Sequence, residues 1–239
     1  MTTSLPHRTI EGHTLFSEDL KENRLVKVYL PSQYDNTKKY PILYCHDGNE
    51  FFTHGRIATI ATQMMEKEWI APMLIAGIAV SPQYRTQDYS LHGERNEKYV
   101  QFVGEQCIPF VESTYSIDTD ARYMAGISLG AVVTLLLHAH YPTYFSRLLL
   151  FSTALRPSVL SWLKDTSLSV DAKVYMLIGT NEDQAQTPIG VYDFLHPNEE
   201  GRYILRNKGI ETTYVESPGS HIWGFWQKHL PCGLLWLQS

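Results

Sequence analysis

Length, composition and charge place the chain among ordinary globular proteins. It has 239 residues, of which 44% are hydrophobic and 19% are charged, and its formal net charge is −5. This composition excludes a chain that is disordered throughout, and the acidic balance argues against general nucleic-acid binding, which usually needs a basic face. At about 150 residues per domain, one domain over residues 1–239 is a better prediction than two.

Apolar runs alternate along the chain with longer amphipathic stretches. In chain order, the predicted elements are strands at 25–30 and 41–45, a helix at 56–69, a strand at 73–80, a helix at 97–115, a strand at 122–125, a helix at 129–140, strands at 148–151, 173–178 and 212–215, and a last helix within 221–237. This alternation predicts an α/β fold with a mostly parallel central sheet and helices on both faces. Ligands of such sheets bind at the carboxyl ends of the strands, so the residues that follow each strand are the candidates for a site.

The number of cysteines and the length of the apolar runs indicate in which cellular compartment the protein is expected. Cys45, Cys107 and Cys232 stand far apart and are odd in number, so neither a disulfide framework nor a cysteine-rich zinc site is expected. The first residues lack a basic start followed by an apolar run, and the longest apolar runs fall far short of the about 20 residues of a membrane helix. We predict a cytoplasmic protein without a membrane segment. The sequence leaves open whether it forms a homo-oligomer.

One motif, in its context, indicates a nucleophile. Residues 126–130 read Gly-Ile-Ser-Leu-Gly, directly after a short predicted strand and directly before an apolar helix. In that position G-x-S-x-G predicts a nucleophile elbow, in which small neighbours let strand and helix approach and the Ser128 hydroxyl projects above the sheet. The backbone N–H of Leu129 is then positioned to bind an oxyanion at the helix N-terminus. The alternative interpretation is a chance match in a loop.

A serine nucleophile needs a base at neutral pH, normally a histidine that a carboxylate holds in place. In a fold of this kind the order along the chain is serine, acid, histidine. His221 lies in the loop after the last predicted strand, where the base is required. His138 and His140 lie in the helix that follows the serine, and His196 lies in a polar loop, so all three are less favoured.

The acid is expected after the preceding strand, 173–178. Glu182 and Asp183 both follow that strand. Adjacent side chains point apart, so only one of them can orient His221, and the spacing alone leaves both as candidates.

A second oxyanion donor is expected from the loop after an early strand. His46-Asp47-Gly48-Asn49 follows the predicted strand 41–45, and its glycine allows the backbone to turn its amides inward. We therefore predict the N–H of Asn49 as the second donor. An ordinary Asp-Gly turn is the alternative.

These pieces together resemble the enterochelin esterase-like esterases, a branch of the α/β-hydrolase fold that is similar to feruloyl esterases and S-formylglutathione hydrolases. The resemblance runs through most of the chain, in the segments 40–52, 85–89, 93–115, 123–136, 177–183 and 219–226. The family pattern places a carboxylate three residues after a glycine, which favours Glu182 over Asp183. Its G-x-H-x-W ending matches Gly219, His221 and Trp223.

The resemblance implies a serine hydrolase that cleaves carboxylic esters through an acyl-enzyme, with small-molecule esters as substrates and no metal or organic cofactor. The resemblance includes enzymes that act on siderophore-type esters, aryl esters and other small esters. An acyltransferase with the same residues, in which an alcohol replaces water, is the first alternative. A non-catalytic binding protein of the same fold is the second.

The sequence says less about the substrate. Aromatic residues near the predicted strand ends are candidates for an apolar pocket, although core positions are the simpler interpretation for each: Phe51, Phe52, Tyr84, Trp223, Phe225 and Trp226. Arg56 and Arg85 are candidates for binding an anionic group, although surface positions are simpler for both. The stretch 184–202 is longer than a common strand-to-helix loop and is a candidate for the pocket wall.

Overall fold

An eight-stranded sheet forms the centre of the molecule. The computed structural model describes residues 8–187 and 190–239. Within them the sheet has the strand order β1-β2-β4-β3-β5-β6-β7-β10. The strands are β1 (Thr9–Ser17), β2 (Glu22–Leu30), β3 (Tyr40–Cys45), β4 (Leu74–Ile78), β5 (Ile117–Ile127), β6 (Arg147–Phe151), β7 (Lys173–Gly179) and β10 (Thr212–Ser217), and a separate hairpin is formed by β8 (Ala185–Thr187) and β9 (Gly190–Tyr192).

The sheet is mostly parallel, as predicted. The pair β1–β2 and the pair β2–β4 are antiparallel. The five other pairs, from β4–β3 to β7–β10, are parallel. In the parallel part, β5 lies between β3 and β6. The carboxyl ends of β3, β5, β6 and β7 therefore meet at one edge of the sheet, and this edge carries the candidate site.

Helices connect the strands. They are α1 (Gly48–Thr53), α2 (Ile57–Glu66), α3 (Arg85–Tyr89), α4 (Asn96–Gln101), α5 (Ile108–Thr114), α6 (Leu129–His140), α7 (Pro157–Asp165), α8 (Leu195–Asn207) and α9 (Trp223–Trp236).

Both faces of the sheet are buried. Successive residues of β3 point to opposite faces, so Ile42 and Tyr44 join one hydrophobic cluster while Leu43 and Cys45 join the other. Helix α6 packs in the first cluster, and α2 and α9 pack in the second. Burial on both faces explains why the central strands are continuous apolar runs. Because both clusters share one sheet, we retain one domain as our proposal.

The structure differs from the sequence prediction in several elements. The helix predicted at 97–115 is divided into α4, a π-helical segment at Phe102–Cys107, and α5. Gly104 lies in that segment against the ring of Tyr141, where an added Cβ would come within 2.3 Å of ring carbons. Strand β5 begins five residues earlier than predicted. Strand β1 was not predicted. It lies at the edge of the sheet, its residues are mostly exposed or half-exposed, and it lacks an apolar run.

Candidate active site

Ser128 occupies a strained turn between β5 and α6. Its backbone angles are φ 58° and ψ −118°, a region that non-glycine residues rarely adopt. Its N–H donates to the carbonyl of Phe151 at 2.9 Å, and its own carbonyl accepts from the N–H of Ala154 at 3.2 Å. The end of β6 and the segment after it therefore hold the serine in this conformation.

The first glycine of the motif is required by close packing. A Cβ at Gly126 would lie 2.1 Å from the carbonyl oxygen of Gly130, so no side chain fits where strand and helix cross. At Gly130 the added Cβ would lie 3.1 Å from Oδ2 of Asp47, which is tight but less severe. Ser128 therefore lies in a tight, closely packed turn between strand and helix, and its role as a nucleophile stays a prediction.

His221 contacts both Ser128 and Glu182. Its Nε2 lies 3.1 Å from the Ser128 Oγ, and its Nδ1 lies 2.7 Å from Oε2 of Glu182. The imidazole packs against the ring of Phe194, with 4.1 Å between centroids, and meets the edge of Trp226 at 4.9 Å. Two hydrogen bonds and two aromatic contacts therefore fix the ring between serine and carboxylate.

Glu182 is fully buried, and both of its carboxylate oxygens are hydrogen-bonded. Oε1 accepts from the Ser152 hydroxyl at 2.8 Å and from the backbone N–H of Gly179 at 2.9 Å. Ser152 in turn accepts a hydrogen bond from the indole N–H of Trp226 at 2.8 Å. A buried carboxylate is costly unless it is paired and hydrogen-bonded, and these contacts meet that requirement.

Asp183, the other candidate acid, is exposed. The structure thus separates the two adjacent carboxylates: one is buried against His221 and the other faces solvent. This difference follows from the opposite directions of adjacent side chains.

Asp47 and Arg85 form a second polar group on the other side of Ser128. Arg85 donates from Nε to Oδ1 and from Nη2 to Oδ2 of Asp47, at 2.6 and 2.7 Å. The backbone N–H of Asp47 donates to the Tyr89 hydroxyl at 3.0 Å. Asp47 itself has a left-handed φ of 52°. The bidentate ion pair and the tyrosine therefore stabilise the turn that follows β3.

Burial sets the charge states around this turn. Burial lowers the pKa of Arg85, but the hydrogen bond and negative charge of Asp47 outweigh it and raise that pKa above its usual value. Burial, and then the charge of Arg85, lower the pKa of His46 to about 3, so His46 is neutral near pH 7. Its Nδ1 lies 2.8 Å from the hydroxyl of Tyr99.

Helix α3, which carries Arg85, is held by a buried ion network. Asp88 is fully buried and contacts two arginines. Arg24 Nη2 bonds to its Oδ2, and Arg95 Nε donates to its Oδ1 at 2.8 Å. The side-chain amide of Asn96 donates to the Asp88 carbonyl at 2.8 Å.

The two predicted oxyanion donors both lie in first turns of helices. Leu129 is the first residue of α6 and Asn49 is the second residue of α1. Amides at these positions have no partner within their own helix. A Cβ at Gly48 would lie 2.2 Å from the Gly77 carbonyl carbon, so the turn packs directly on β4. Leu129 lines the cavity described below, as do Asp47 and Glu50, but Asn49 does not. Its role stays a prediction.

A cavity of about 370 Å³ opens at Ser128 and His221. Trp223 and Trp226 line it, whereas Phe51 and Phe225 are buried in the core. Phe52 and Tyr84 do not line it. The stretch 184–202 contributes to the wall through Gln186, Thr187, Tyr192 and Phe194.

Two further observations concern the residues that the structure describes. No cluster of three or more histidine, cysteine, aspartate or glutamate side chains is arranged to hold a metal ion there. Within the same residues, no helix has the length and apolarity needed to cross a bilayer.

A family of esterases matches this chain. The model of the family described as "Putative esterase" matches residues 17–237. The chain belongs to this family. Its membership confirms the predicted esterase family, the α/β-hydrolase fold and the activity of a carboxylic ester hydrolase.

The chain is also similar to individual proteins, to one by sequence and to two by fold. An uncharacterized protein, YjcH of Bacillus subtilis (strain 168), is 30% identical over 92% of this chain and 93% of its own length. The structure of a ferulic acid esterase superposes with a TM-score of 0.81 at 18% identity, covering 97% of this chain and 98% of that one. Enterochelin esterase from Shigella flexneri gives a TM-score of 0.81 at 19% identity, covering 95% of this chain and 57% of the longer one.

Sequence reasoning did not identify two side chains at this site. Ser152 contacts Glu182, and Arg156 lines the cavity. Both follow β6, so they also lie at the carboxyl end of a strand, where ligands of such sheets bind. Neither belongs to a recognisable motif, and the apolar run 148–151 predicts only a strand.

Proposed function

We propose that the protein hydrolyses carboxylic esters through an acyl-enzyme on Ser128, with His221 as general base and Glu182 as the acid of the triad. The observation that carries this proposal is the continuous contact from the Ser128 Oγ to His221 at 3.1 Å and from His221 to Glu182 at 2.7 Å. Nucleophile, base and orienting carboxylate in hydrogen-bond reach are the arrangement that activates a serine hydroxyl.

The reaction proceeds in two steps. His221 Nε2 takes the proton of Ser128 as its Oγ attacks the ester carbonyl. The backbone amides of Leu129 and Asn49 bind the oxyanion, and each such donor contributes about 3–4 kcal/mol in comparable enzymes. Protonated His221 then gives its proton to the leaving alcohol. The same histidine activates a water molecule, which releases the acid and restores Ser128.

Glu182 keeps the proton of neutral His221 on Nδ1 and stabilises the imidazolium that forms during each step. Its fixed position supports this role, since Ser152 and Gly179 bind the oxygen that does not face the histidine. Asp183 has no part in the reaction in this proposal.

The substrate is a small-molecule ester, and the reaction takes place in the cytoplasm. A cavity of about 370 Å³ lies within the range of small-ligand sites, and tryptophan rings on its wall favour a partly apolar or aryl substrate. Proteins of related structure are named as esterases of ferulic acid and of enterochelin.

Hydrolysis of p-nitrophenyl esters of increasing acyl length tests the proposal. The wild-type protein is compared with Ser128→Ala and with Ser113→Ala, which removes an exposed hydroxyl on α5 outside the cavity. We expect Ser128→Ala to lose at least about 10⁴-fold in kcat, as other serine hydrolases do, and Ser113→Ala to match the wild type. Equal rates for all three proteins, with circular dichroism spectra unchanged, would overturn it.

A further inference from the structure

Four charged side chains line the cavity at Ser128, and two of them neutralise each other. Asp47 and Arg85 form the bidentate pair described above. Glu50 and Arg156 remain. Among the described residues, Oε2 of Glu50 is buried without a hydrogen-bond partner, and no ion pair joins Glu50 to Arg156.

Arg156 has a hydrogen-bonded backbone, and its side chain has no ionic partner in the part of the chain that the structure describes. It is the N-cap residue of α7, and its carbonyl accepts from the N–H groups of Val159 and Leu160 at 2.8 and 2.9 Å. Its guanidinium lies over the ring of Tyr192, 4.7 Å from the centroid. Across residues 8–187 and 190–239, no carboxylate lies within ion-pair distance of it. An arginine that stacks on a ring uses the face of its guanidinium, so the N–H groups in the guanidinium plane stay available to bind an anion.

The sheet order places the two unpaired charges on opposite sides of the nucleophile. Glu50 follows β3, Ser128 follows β5, and Arg156 follows β6, and β5 lies between β3 and β6. The cavity is therefore negative on one side of Ser128 and positive on the other. An anionic group in it is repelled from the side of Glu50 and attracted to the side of Arg156.

Arg156 also lies where the cavity continues. A second cavity, of about 350 Å³, is lined by His92, Glu94 and Ser158 among others. It shares Thr86, Leu129, Ala154 and Arg156 with the cavity at Ser128. Arg156 thus lies on the border between the second cavity and the cavity that opens at Ser128.

We propose that the substrate ester carries one carboxylate group, which Arg156 binds while the ester carbonyl lies at Ser128. This inference rests on the proposed esterase function and narrows its substrate class. A planar guanidinium matches a carboxylate in two parallel hydrogen bonds. One negative charge is favoured over two, because a single unpaired cation faces the ligand and Glu50 already makes the opposite side negative. The side chains suggested by the sequence do not take this role: Arg85 is occupied by Asp47, and Arg56 is exposed outside the cavity.

Two pairs of matched esters test the proposal by hydrolysis. Monoethyl adipate and ethyl hexanoate differ by a carboxylate in place of a methyl group on the acyl side. 3-Acetoxybenzoate and 3-tolyl acetate differ in the same way on the alcohol side. Proton release gives kcat/KM for the wild type, for Arg156→Gln, for Arg156→Lys and for Arg56→Gln, the control that removes the same charge outside the cavity.

We expect Arg156→Gln to lower the ratio of kcat/KM for the charged ester to kcat/KM for the neutral ester about tenfold in at least one pair. The change should arise mainly from KM. A tenfold effect is at the low end for a charge-assisted hydrogen bond, because the Arg156 side chain is exposed. Arg156→Lys retains part of the ratio, and Arg56→Gln keeps it. The proposal is overturned if Arg156→Gln leaves the ratio unchanged in both pairs, or if Arg56→Gln lowers it equally.

A binding measurement separates this proposal from the function on which it rests. Ser128→Ala and Ser128→Ala/Arg156→Gln are titrated with monoethyl adipate and 3-acetoxybenzoate. Binding is followed by the tryptophan fluorescence, to which Trp223 and Trp226 contribute from the cavity wall. We expect about tenfold weaker binding of at least one ligand by the double variant. Equal affinities contradict the role of Arg156. If the wild type hydrolyses none of the esters but binding depends on Arg156, the esterase proposal fails and the carboxylate site stands.

Discussion

The two sides of Ser128 are built from similar polar residues but are connected differently. On the acid side, formed by Ser152, Glu182, His221 and Trp226, each hydrogen bond leads to the next and the series ends at the Ser128 hydroxyl. On the turn side, formed by Asp47, Arg85 and Tyr89, the hydrogen bonds close within the group.

This difference suggests that the acid side takes part in the reaction and that the turn side stabilises the backbone. In the proposed mechanism, a carboxylate whose contacts lead to the reacting serine controls proton transfer there, which is the role we assign to Glu182 through its contact with His221. A carboxylate that is bound bidentately by its own arginine fixes the local backbone, as Asp47 does after β3. We therefore expect substitutions on the acid side to lower activity more than stability, and substitutions on the turn side to lower stability more than activity.

The largest expected effect within this comparison concerns the two adjacent carboxylates. In Glu182→Gln, an amide N–H₂ facing Nδ1 would place the His221 proton on Nε2, where it cannot accept the serine proton. We expect kcat to fall about 10³–10⁴-fold, as for a triad carboxamide elsewhere. Asp183→Asn removes the same charge from an exposed position, so its kcat should stay within about twofold of the wild type. Steady-state hydrolysis of a p-nitrophenyl ester measures both, and a larger loss in Asp183→Asn would reverse the assignment.

A second prediction concerns stability on the turn side. Arg85→Gln leaves the carboxylate of Asp47, which is 5% exposed, without its ionic partner. We expect the free energy of unfolding in urea to fall by about 2–3 kcal/mol, less than for a fully buried pair because 31% of the Arg85 side chain is exposed. The double variant Asp47→Asn/Arg85→Gln should recover part of this loss. Unfolding curves that coincide for Arg85→Gln and the wild type would show that the pair does not stabilise the turn.

The smallest expected effect tests the far end of the acid side. Ser152→Ala removes the hydroxyl that donates to Glu182 and leaves the buried indole N–H of Trp226 without its acceptor. The backbone N–H of Gly179 still holds the carboxylate. We therefore expect about a tenfold loss of kcat with KM nearly unchanged, and about 1–2 kcal/mol of lost stability. A lower stability at full kcat would confine Ser152 to a structural role.

The buried part of the fold could be predicted from the sequence because burial leaves an apolar run. The helix predicted at 129–140 coincides with α6, and the strand predicted at 173–178 differs from β7 by one residue. Helix α8 and strand β1 were not predicted, since both mix charged and apolar residues at half-exposed positions. Hydrophobic periodicity is weak where an element lies at the surface.

The candidate site, like the fold, contains residues that the sequence identifies and residues that it does not. Ser128 and His221 are recognisable because a motif and the order along the chain point to them. The choice between Glu182 and Asp183 needs side-chain direction, which spacing does not give, although family resemblance favoured Glu182. Ser152 and Arg156 depend on β6 being the neighbour of β5, and strand order is a property of the folded sheet.

Covalent labelling tests whether Ser128 is the nucleophile. The wild type, Ser128→Ala and Glu182→Gln are treated with a fluorophosphonate, and the modified peptide is identified by mass spectrometry. We expect one stoichiometric adduct on Ser128 in the wild type, slow labelling of the same serine in Glu182→Gln, and none in Ser128→Ala. An adduct on another residue, or equal labelling of Ser128→Ala, would contradict it.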